Sequence, residues 1–146
     1  MSDFFFKAED GIRDSPVTGV RRVLFRSWSS VGIKTAFPYT YPRGIAVHPG
    51  DPNTIFVTIG DTTPGRIGTV MRSKDIGKNW EDLTLSAPPN SAMWVVNVPS
   101  FNTDMAFAGS RYGHLFRSDD GGDSWNKLWR EFSEISSVVA IAGSVC

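Results

Sequence analysis

The sequence has a single cysteine, no excess of either charge and no long apolar run, and each shortage excludes a class of protein. Cys146 is the only cysteine among 146 residues, so neither an internal disulfide nor a cysteine-cluster metal site can form. Fifteen Lys and Arg residues balance 15 Asp and Glu residues, which argues against nucleic-acid binding because phosphates are bound by clustered positive charge. No apolar stretch approaches the roughly 20 residues of a membrane-spanning helix. We therefore expect neither a nucleic-acid partner nor a membrane span.

What the sequence has in quantity is glycine, proline and tryptophan, with 14, 9 and 5 residues. Gly and Pro are the residues of tight turns, and Trp is enriched in strands that bury one face. This composition indicates many short strands joined by turns.

Residues 1–27 do not resemble a natural protein segment. The run AEDGIRDSPVTGVRRVLFRS, residues 8–27, matches the translation of a sequencing adapter, with Ser15 and Pro16 where the adapter's variable index would lie. Such translations occur at the ends of metagenomic gene predictions. We therefore expect residues 1–27 to be an artefactual or disordered leader and set them aside. Natural sequence would then start near Trp28 without its own amino terminus, so the compartment of the parent protein, secreted or not, stays open.

The rest of the sequence contains an internal repeat. GTVMRSKDIGKNWEDL (residues 68–83) aligns with GHLFRSDDGGDSWNKL (residues 113–128) at an offset of 45. Upstream, IAVHPGDPNTIFVT (residues 45–58) aligns with VNVPSFNTDMAFAG (residues 96–109) at an offset of 51, and the difference of six residues is a longer loop in the first copy. Because a repeat decides the whole architecture, it takes precedence over local propensities.

Each copy contains the pattern of four short strands. Apolar or alternating runs are separated by Gly, Pro, Asn and Asp, and no segment keeps helical periodicity over three turns. Four strands per roughly 45 residues is typical of a β-propeller blade. We therefore predict an all-β fold, a partial β-propeller within residues 28–146. Its blades would lie at residues 43–85 and 92–130, with the start of a next blade at 135–146, where a third copy begins at Ser136. The predicted strands are residues 43–48, 54–59, 68–72, 80–83, 93–98, 105–109, 114–117 and 125–129.

Two short segments carry a family resemblance. SKDIGKNW (residues 73–80) and SDDGGDSW (residues 118–125) each follow an apolar strand that ends in Arg-Ser, and both resemble the Asp-box, or BNR, repeat Ser-x-Asp-x-Gly-x-Ser/Thr-Trp. Proteins with this repeat include sialidases, xyloglucanase-type glycoside hydrolases, sortilin-type receptors and photosystem II assembly factors. They share the propeller rather than a reaction, so the resemblance implies a fold. It implies structural Asp-box roles for Ser73, Asp75, Gly77, Trp80, Ser118, Asp120, Gly122 and Trp125.

The chemistry of this motif favours structure over catalysis. Asp75 and Asp120 are expected to accept hydrogen bonds from backbone N–H groups and to hold the turn closed. The glycines supply positive φ, and the tryptophans bury a large aromatic surface. Asn79 replaces the usual Ser or Thr, which should weaken the first copy slightly. The alternative is a Ca²⁺ site at Asp119, Asp120 and Asp123, but a hairpin of this size offers few converging ligands, and we predict no metal site.

The strand order decides which loops lie together. In a meander, the loops joining strands one to two and three to four lie on one face, so both Asp boxes share a face with the turn at residues 48–52. The opposite face, called the open face here, receives the loops between strands two and three and the connections between blades. In Asp-box sialidases the boxes lie away from the ligand-binding face, so the resemblance implies that a ligand would bind on the open face, where loops on a rigid scaffold can carry binding residues. The candidate ligand-face residues are Asp61, Arg66, Arg111 and Tyr112.

No catalytic constellation stands out in the sequence. Glycoside hydrolysis needs two carboxyl groups, or in sialidases a tyrosine together with arginines that bind the substrate carboxylate, and the open face has the residue types without the pattern. His48 and His114 lack metal-ligand partners at useful spacing, and no nucleophile elbow is present. We therefore assign no catalytic residue and no cofactor.

Two functions remain open. The first hypothesis is a binding or scaffold module for protein or carbohydrate with no activity of its own. The alternative is a fragment of a secreted sialidase-like or xyloglucanase-like glycoside hydrolase. In either case we expect the chain itself to be inactive, because two blades cannot enclose a central site.

Overall fold

Eight short strands form two antiparallel sheets of four strands each, in a computed structural model that describes residues 30–143. The strand order is β1-β2-β3-β4 in the first sheet and β5-β6-β7-β8 in the second, so each sheet is a simple meander. One short helix precedes them. The elements are α1 (Ile33–Ala36), β1 (Tyr41–Val47), β2 (Ile55–Gly60), β3 (Gly68–Ser73), β4 (Glu81–Leu83), β5 (Met93–Asn97), β6 (Ala106–Ser110), β7 (Leu115–Ser118) and β8 (Asn126–Lys127).

The predicted fold class is confirmed: the chain is nearly all β and forms two propeller blades, β1–β4 (blade 1) and β5–β8 (blade 2). All eight predicted strands lie within two residues of their observed ends. The eighth, predicted at 125–129, is only Asn126–Lys127, and the four-residue helix α1 was not predicted. No helix within residues 30–143 is long and apolar enough to cross a membrane. The interpretation of residues 1–27 as a leader lies outside the described residues.

The start of a third blade stays a prediction. Within residues 135–143 the structure describes no strand, and a strand's backbone groups need a neighbouring strand to bond with. Ile135 is nevertheless buried, and its backbone N–H donates to the carbonyl of Arg111 in blade 2. The segment therefore lies against blade 2 without pairing in its sheet.

Each innermost strand carries a β-bulge at the same place. In β1 the pairing with β2 shifts register between Pro42 and Gly44, which leaves Arg43 as the extra residue. In β5 the shift falls between Met93 and Val95, which leaves Trp94. Bulges redirect a side chain out of the normal alternation of a strand. The repeat thus places Arg43 and Trp94 in equivalent positions, 51 residues apart.

The main hydrophobic core lies between the two blades. Phe56 of blade 1 is fully buried, and its ring centroid lies 6.3 Å from that of Trp125 of blade 2 in an edge-to-face arrangement. Neither sheet could bury this face alone, so each blade requires its neighbour. The buried members of this core are Phe56, Val70, Leu83, Met93, Val96, Val98, Ala106, Ala108, Phe116 and Trp125.

A second, smaller core covers the opposite face of blade 1. Trp80 occupies the position that Trp125 has in blade 2, and its ring lies 4.9 Å from that of Phe37. Phe37 follows helix α1, and Ile33 and Tyr39 pack beside it. Residues 33–39 therefore cover the face on which a preceding blade would pack.

Arg72 in β3 joins the two blades by polar contacts. Its side chain is only 5% exposed and bonds to Glu81 of its own blade. It also reaches blade 2, where it donates to the carbonyl of Gly121 at 3.1 Å and pairs with Asp123 at 2.6 Å. Although burial acts to lower the pKa of Arg72, the bonds to Glu81 and Asp123 outweigh it and raise that pKa. Arg72 is thus held as a cation across the interface.

We predict that Arg72→Ala lowers the free energy of unfolding by about 2 kcal/mol, the range of hydrogen bonds to charged groups. The matched control is Arg117→Ala at the equivalent position of blade 2. Arg117 is 42% exposed and pairs with its near neighbour Asp119, so its loss should cost less than about 1 kcal/mol. Urea unfolding followed by tryptophan fluorescence measures both. Equal effects of the two substitutions would contradict the bridging role of Arg72.

Candidate functional site

The loops of both blades lie on two opposite faces, as the meander predicts. On one face, the backbone N–H of Ile76 donates to the carbonyl of Asn53 at 3.0 Å, which joins the loop after β3 to the loop after β1. In blade 2 the same contact runs from Gly121 to Asp104. His48 Nε2 lies 3.0 Å from the carbonyl oxygen of Thr103 and connects the two blades on this face. The prediction that residues 73–80 and 118–125 share a face with the turn at residues 48–52 is confirmed.

The loop between β7 and β8 (second hairpin, residues 118–125) is closed by side-chain hydrogen bonds. Asp120 Oδ1 accepts bonds from the hydroxyl of Ser118 at 2.7 Å and the backbone N–H of Ser124 at 2.9 Å. Its other oxygen accepts the Ser124 hydroxyl at 2.6 Å. Ser118 Oγ in turn accepts the N–H of Gly122, and the indole N–H of Trp125 donates to the Gly122 carbonyl. These bonds occupy the Asp120 carboxylate within its own turn.

The loop between β3 and β4 (first hairpin, residues 73–80) repeats the same pattern. Asp75 accepts the backbone N–H of Asn79 at 2.8 Å and the Asn79 side-chain amide at 2.6 Å. Ser73 bonds to Asp75 and Gly77, and the Trp80 indole donates to the Gly77 carbonyl. The amide of Asn79 therefore replaces the hydroxyl of Ser124 bond for bond. We expected Asn79 to weaken the first hairpin, but no hydrogen bond to the Asp carboxylate is lost there relative to the second hairpin.

Hydrogen bonding stabilises the ionised form of both hairpin carboxylates. Backbone and side-chain bonds from Asn79 lower the pKa of Asp75 from 3.8 to about 2, and bonds from the hydroxyl and backbone of Ser124 do the same for Asp120. A carboxylate held in this way is a poor proton donor near neutral pH. The geometry favours a structural over a catalytic use of both residues.

The three carboxylates weighed as a Ca²⁺ site point to different partners. Asp119 pairs with Arg117, Asp120 bonds within its turn, and Asp123 pairs with Arg72 and Lys74. No group of three or more His, Cys, Asp or Glu side chains suited to a metal ion occurs within residues 30–143. His114 is paired with Glu131 at 3.2 Å, and burial lowers the pKa of His114.

One glycine of each hairpin is closely packed against a neighbouring segment of the chain. Gly122 has a φ of 93°, and a Cβ built on it would lie 2.6 Å from Cε1 of Phe56 in blade 1. Gly77 has a φ of 79°, and its Cβ would lie 3.0 Å from Val31. Each position therefore needs glycine for two reasons, backbone conformation and close packing.

The four predicted ligand-face residues lie on the open face but form two separate groups. Asp61 Oδ1 accepts the backbone N–H groups of Arg66 and Ile67 and so closes its own loop. Burial acts to raise the pKa of Asp61, yet the backbone hydrogen bonds outweigh it and lower that pKa. Tyr112 is 43% exposed. Among the described residues, no hydrogen bond or ion pair joins Asp61 or Arg66 to Arg111 or Tyr112.

The second group, Arg111 and Tyr112, is held in place by hydrogen bonds and an ion pair from the segments before and after blade 2. The side-chain amide of Asn90 donates to the carbonyl of Tyr112 at 2.6 Å, and the N–H of Tyr112 donates to Ser91 Oγ at 2.9 Å. Arg111 pairs with Glu134 at 3.1 Å and donates to Ser136 Oγ at 3.4 Å. The open-face loop of blade 2 is therefore fixed by the segments on both sides of it.

Arginines from both blades meet at one indole ring on the open face. The guanidinium carbon of Arg43 lies 3.7 Å from the centroid of Trp94, and that of Arg111 lies 5.0 Å from it. The guanidinium carbon of Arg43 also lies 5.3 Å from the centroid of the Tyr41 ring. The Tyr41 hydroxyl accepts a hydrogen bond from Arg43 at 3.4 Å. We call Tyr41, Arg43, Trp94 and Arg111 the Arg–Trp cluster. Within residues 30–143, Arg43 has no carboxylate partner.

Sequence reasoning identified Arg111 but not its cluster. The repeat is the signal that could have identified it. Arg43 and Trp94 occupy equivalent positions in the two copies, and both follow the connection into an innermost strand. A bulge at that position takes each side chain out of the normal alternation of its strand. The Arg–Trp cluster therefore presents planar guanidinium groups stacked on an aromatic ring. It offers N–H donors and contains no acidic side chain.

Comparison with known sequences finds glycoside hydrolases. No model of a known protein family matches the chain. Xyloglucanase Xgh74A of Acetivibrio thermocellus is 29% identical over 103 residues, which cover 63% of this chain and 12% of that protein. A probable oligoxyloglucan-reducing end-specific xyloglucanase of Neosartorya fischeri is 41% identical over 58 residues, 38% of this chain and 7% of that protein. The chain thus spans a small part of the curated relatives that it matches.

Comparison with solved structures supports the fold. The crystal structure of an ancestral GH74 enzyme superposes with a TM-score of 0.51 at 22% identity, over 60% of this chain and 13% of that one. YCF48 from Cyanidioschyzon merolae gives a TM-score of 0.46 at 21% identity, over 62% and 24% of the two chains, a superposition too loose to argue from. The first likeness shows a shared fold and nothing about the reaction.

The pKa of Asp120 predicts how acid affects its contribution to stability. Because the pKa falls from 3.8 to about 2 on folding, the stabilisation is complete above pH 3.8 and is lost as the pH falls towards 2. Asp120→Asn should therefore be clearly less stable than the unchanged chain at neutral pH, with the difference shrinking across that window. Urea midpoints measured from neutral pH down to pH 2 test this. Asp119→Asn is the control, and a pH-independent difference for Asp120→Asn would refute the assignment.

Two adjacent glycines give a second test of the hairpin. Gly121 and Gly122 both have positive φ, but a Cβ on Gly121 meets nothing within 4 Å. Gly121→Ala should cost roughly 1 kcal/mol of unfolding free energy, from backbone strain alone. Gly122→Ala adds a clash with the buried ring of Phe56 and should cost more than about 2 kcal/mol. Similar losses for both, measured by thermal or urea unfolding, would show that the second hairpin does not seat on Phe56.

Proposed function

We propose that this chain is part of a propeller glycoside hydrolase that acts on xyloglucan. The observation that carries the proposal is that two curated relatives, from a bacterium and a fungus, are both named as xyloglucanases. Of the two functions that the sequence left open, this is the alternative, a glycoside hydrolase fragment. The comparisons favour it over a binding module without activity.

In this proposal the two hairpins are Asp boxes with a purely structural role. Their bonds support it, because the carboxylates of Asp75 and Asp120 are saturated by donors from their own turns. Their tryptophans pack into the cores on either side of blade 1. They lie on the face opposite the Arg–Trp cluster, so they would stabilise the blades without touching a substrate.

The open face would then contribute to binding the glycan rather than to bond cleavage. Sugars present hydroxyl groups and flat C–H faces, which guanidinium donors and aromatic rings can contact together. The Arg–Trp cluster offers both in one place. Asp61, the carboxylate among the candidate residues, is engaged by its own loop and has a lowered pKa, the opposite of what a general acid requires. Two suitably spaced carboxyl groups would have to come from other parts of the parent protein.

We predict that the chain binds xyloglucan oligosaccharides weakly, without hydrolysing them, and that Trp94 is needed for binding. Trp94→Ala removes the ring on which both guanidinium groups rest, so the dissociation constant should rise about three- to tenfold. NMR titration with xyloglucan heptasaccharide measures it, and reducing-end assays on the same samples detect any cleavage.

The matched control is Trp129→Ala, since Trp129 is 88% exposed and lies outside the Arg–Trp cluster. It should leave the dissociation constant unchanged. If Trp94→Ala bound as well as the unchanged chain, the cluster would not be a glycan contact. Release of reducing ends by the chain alone would overturn the assignment of cleavage to other parts of the parent.

A further inference from the structure

One peptide bond of the second hairpin joins an aspartate, Asp120, to a glycine, Gly121. Within residues 30–143 it is the only Asp-Gly bond. An aspartate in this position is open to attack on its own side chain, because glycine has no Cβ to hinder the approach of its backbone nitrogen to the carboxyl carbon. The equivalent bond of the first hairpin joins Asp75 to Ile76, whose branched side chain obstructs that approach. The two hairpins therefore differ in reactivity although their hydrogen bonds match.

The fold occupies both of the groups that would react. The backbone N–H of Gly121 donates to the carbonyl of Asp104 at 2.8 Å. The Asp120 carboxylate accepts the hydroxyl of Ser118 at 2.7 Å, and it accepts the backbone N–H and the hydroxyl of Ser124 at 2.9 and 2.6 Å. Bonds from the hydroxyl and backbone of Ser124 lower the pKa of Asp120 to about 2. The carboxylate therefore stays ionised, and an ionised carboxylate is a poor target for a nucleophile.

Contacts with other segments hold the same bond in place. The carbonyl of Gly121 accepts a hydrogen bond from Arg72 of blade 1 at 3.1 Å. The next residue, Gly122, lies against the ring of Phe56. Reaction requires the Gly121 nitrogen to be released and the Asp120 carboxyl group to turn out of its hydrogen bonds. The hairpin must therefore open before the bond can react, and such local opening is a normal property of folded chains.

We propose that Asp120 is a latent isoaspartate site, which the closed hairpin protects and an opened hairpin exposes. In the opened hairpin the nitrogen of Gly121 bonds to Cγ of the protonated Asp120 side chain. The proton on that nitrogen and the carboxyl hydroxyl leave together as water, and a succinimide ring forms. Water then adds to the main-chain carbonyl of Asp120 and breaks its bond to the nitrogen. Gly121 is left joined through Cγ beside a free α-carboxylate.

This isomerisation needs no co-reactant and would act in one direction on the fold. The water that is lost equals the water that is added, and nothing is oxidised or reduced. The product has an additional carbon atom in its backbone, and its carboxylate lies on the main chain instead of the side chain. The bonds from Ser118 and Ser124 to Asp120 could not all form again, so the hairpin would stay open. The inference does not depend on the proposed hydrolase function.

The test compares the full chain in buffer, the full chain unfolded in guanidinium chloride and a synthetic peptide of residues 116–127, all incubated at neutral pH. Trypsin releases residues 118–127 separately from Asp10 and Gly11, and mass spectrometry with electron-transfer fragmentation locates isoaspartate. We expect similar rates at Asp120 in the peptide and the unfolded chain. The folded chain should react at least about tenfold more slowly, because several hydrogen bonds must break first.

Ser124→Ala removes one donor to Asp120 and leaves the reacting bond unchanged. Isoaspartate formation in the folded chain should become about fivefold faster, and amide exchange at Gly121 should accelerate by the same factor, since both need the hairpin to open. The matched control is Asn79→Ala, which removes the corresponding donor to Asp75 in the first hairpin. It should leave the rate at Asp120 unchanged.

A second variant tests the chemistry apart from the fold. Ile76→Gly creates an Asp-Gly bond at Asp75. In guanidinium chloride that bond should form isoaspartate, whereas Asp75 of the unchanged chain should not.

Three results would overturn the proposal. Equal rates in the folded chain and the peptide would show that the hairpin gives no protection. Absence of isoaspartate at Asp120 in guanidinium chloride, or its preferential formation at Asp119 or Asp123, would refute the site. Equal acceleration by Asn79→Ala and Ser124→Ala would show that unfolding of the whole chain, and not opening of the hairpin, exposes the bond. If Ser124→Ala does not fold, the comparison of the unchanged chain with the peptide still decides.

Discussion

The seating of the second hairpin on blade 1 is the contact on which the rest of the structure depends. A four-stranded blade exposes two faces and can bury neither by itself, so its stability comes from its neighbour. Here Gly122 approaches Phe56, Trp125 fills the space between the sheets, and Arg72 binds the turn. The apolar and polar parts of this contact fix the distance and the register of the two blades together.

The Arg–Trp cluster exists because that contact holds. Arg43 belongs to blade 1, whereas Trp94 and Arg111 belong to blade 2, so their approach requires the two innermost strands to lie side by side. The cluster lies on the face opposite the hairpins, which separates the residues that stabilise the blades from those that could contact a ligand. Rigid blades that position binding residues on their connecting loops are a common arrangement for binding sites.

Much of the fold was predictable because its signals are repeated. Alternating apolar residues and turn residues, which recur in the two copies at offsets of 45 and 51, predicted the strands. The helix at Ile33–Ala36 was missed because four residues carry no periodicity. The last strand is shorter than predicted, because only Asn126 and Lys127 find partners in β7. The bulges at Arg43 and Trp94 were missed because a bulge changes pairing and leaves composition unchanged.

The sequence by itself determined the two hairpins, because their bonds join residues two to four apart. Ser118, Asp120 and Ser124 can close that turn wherever the chain lies. Only the tertiary structure decided that Arg72 binds Asp123 and that Arg43 stacks on Trp94, since each pair is 51 residues apart. Such contacts depend on how one sheet packs on another, and this is set by the summed shape of the core rather than by any local pattern.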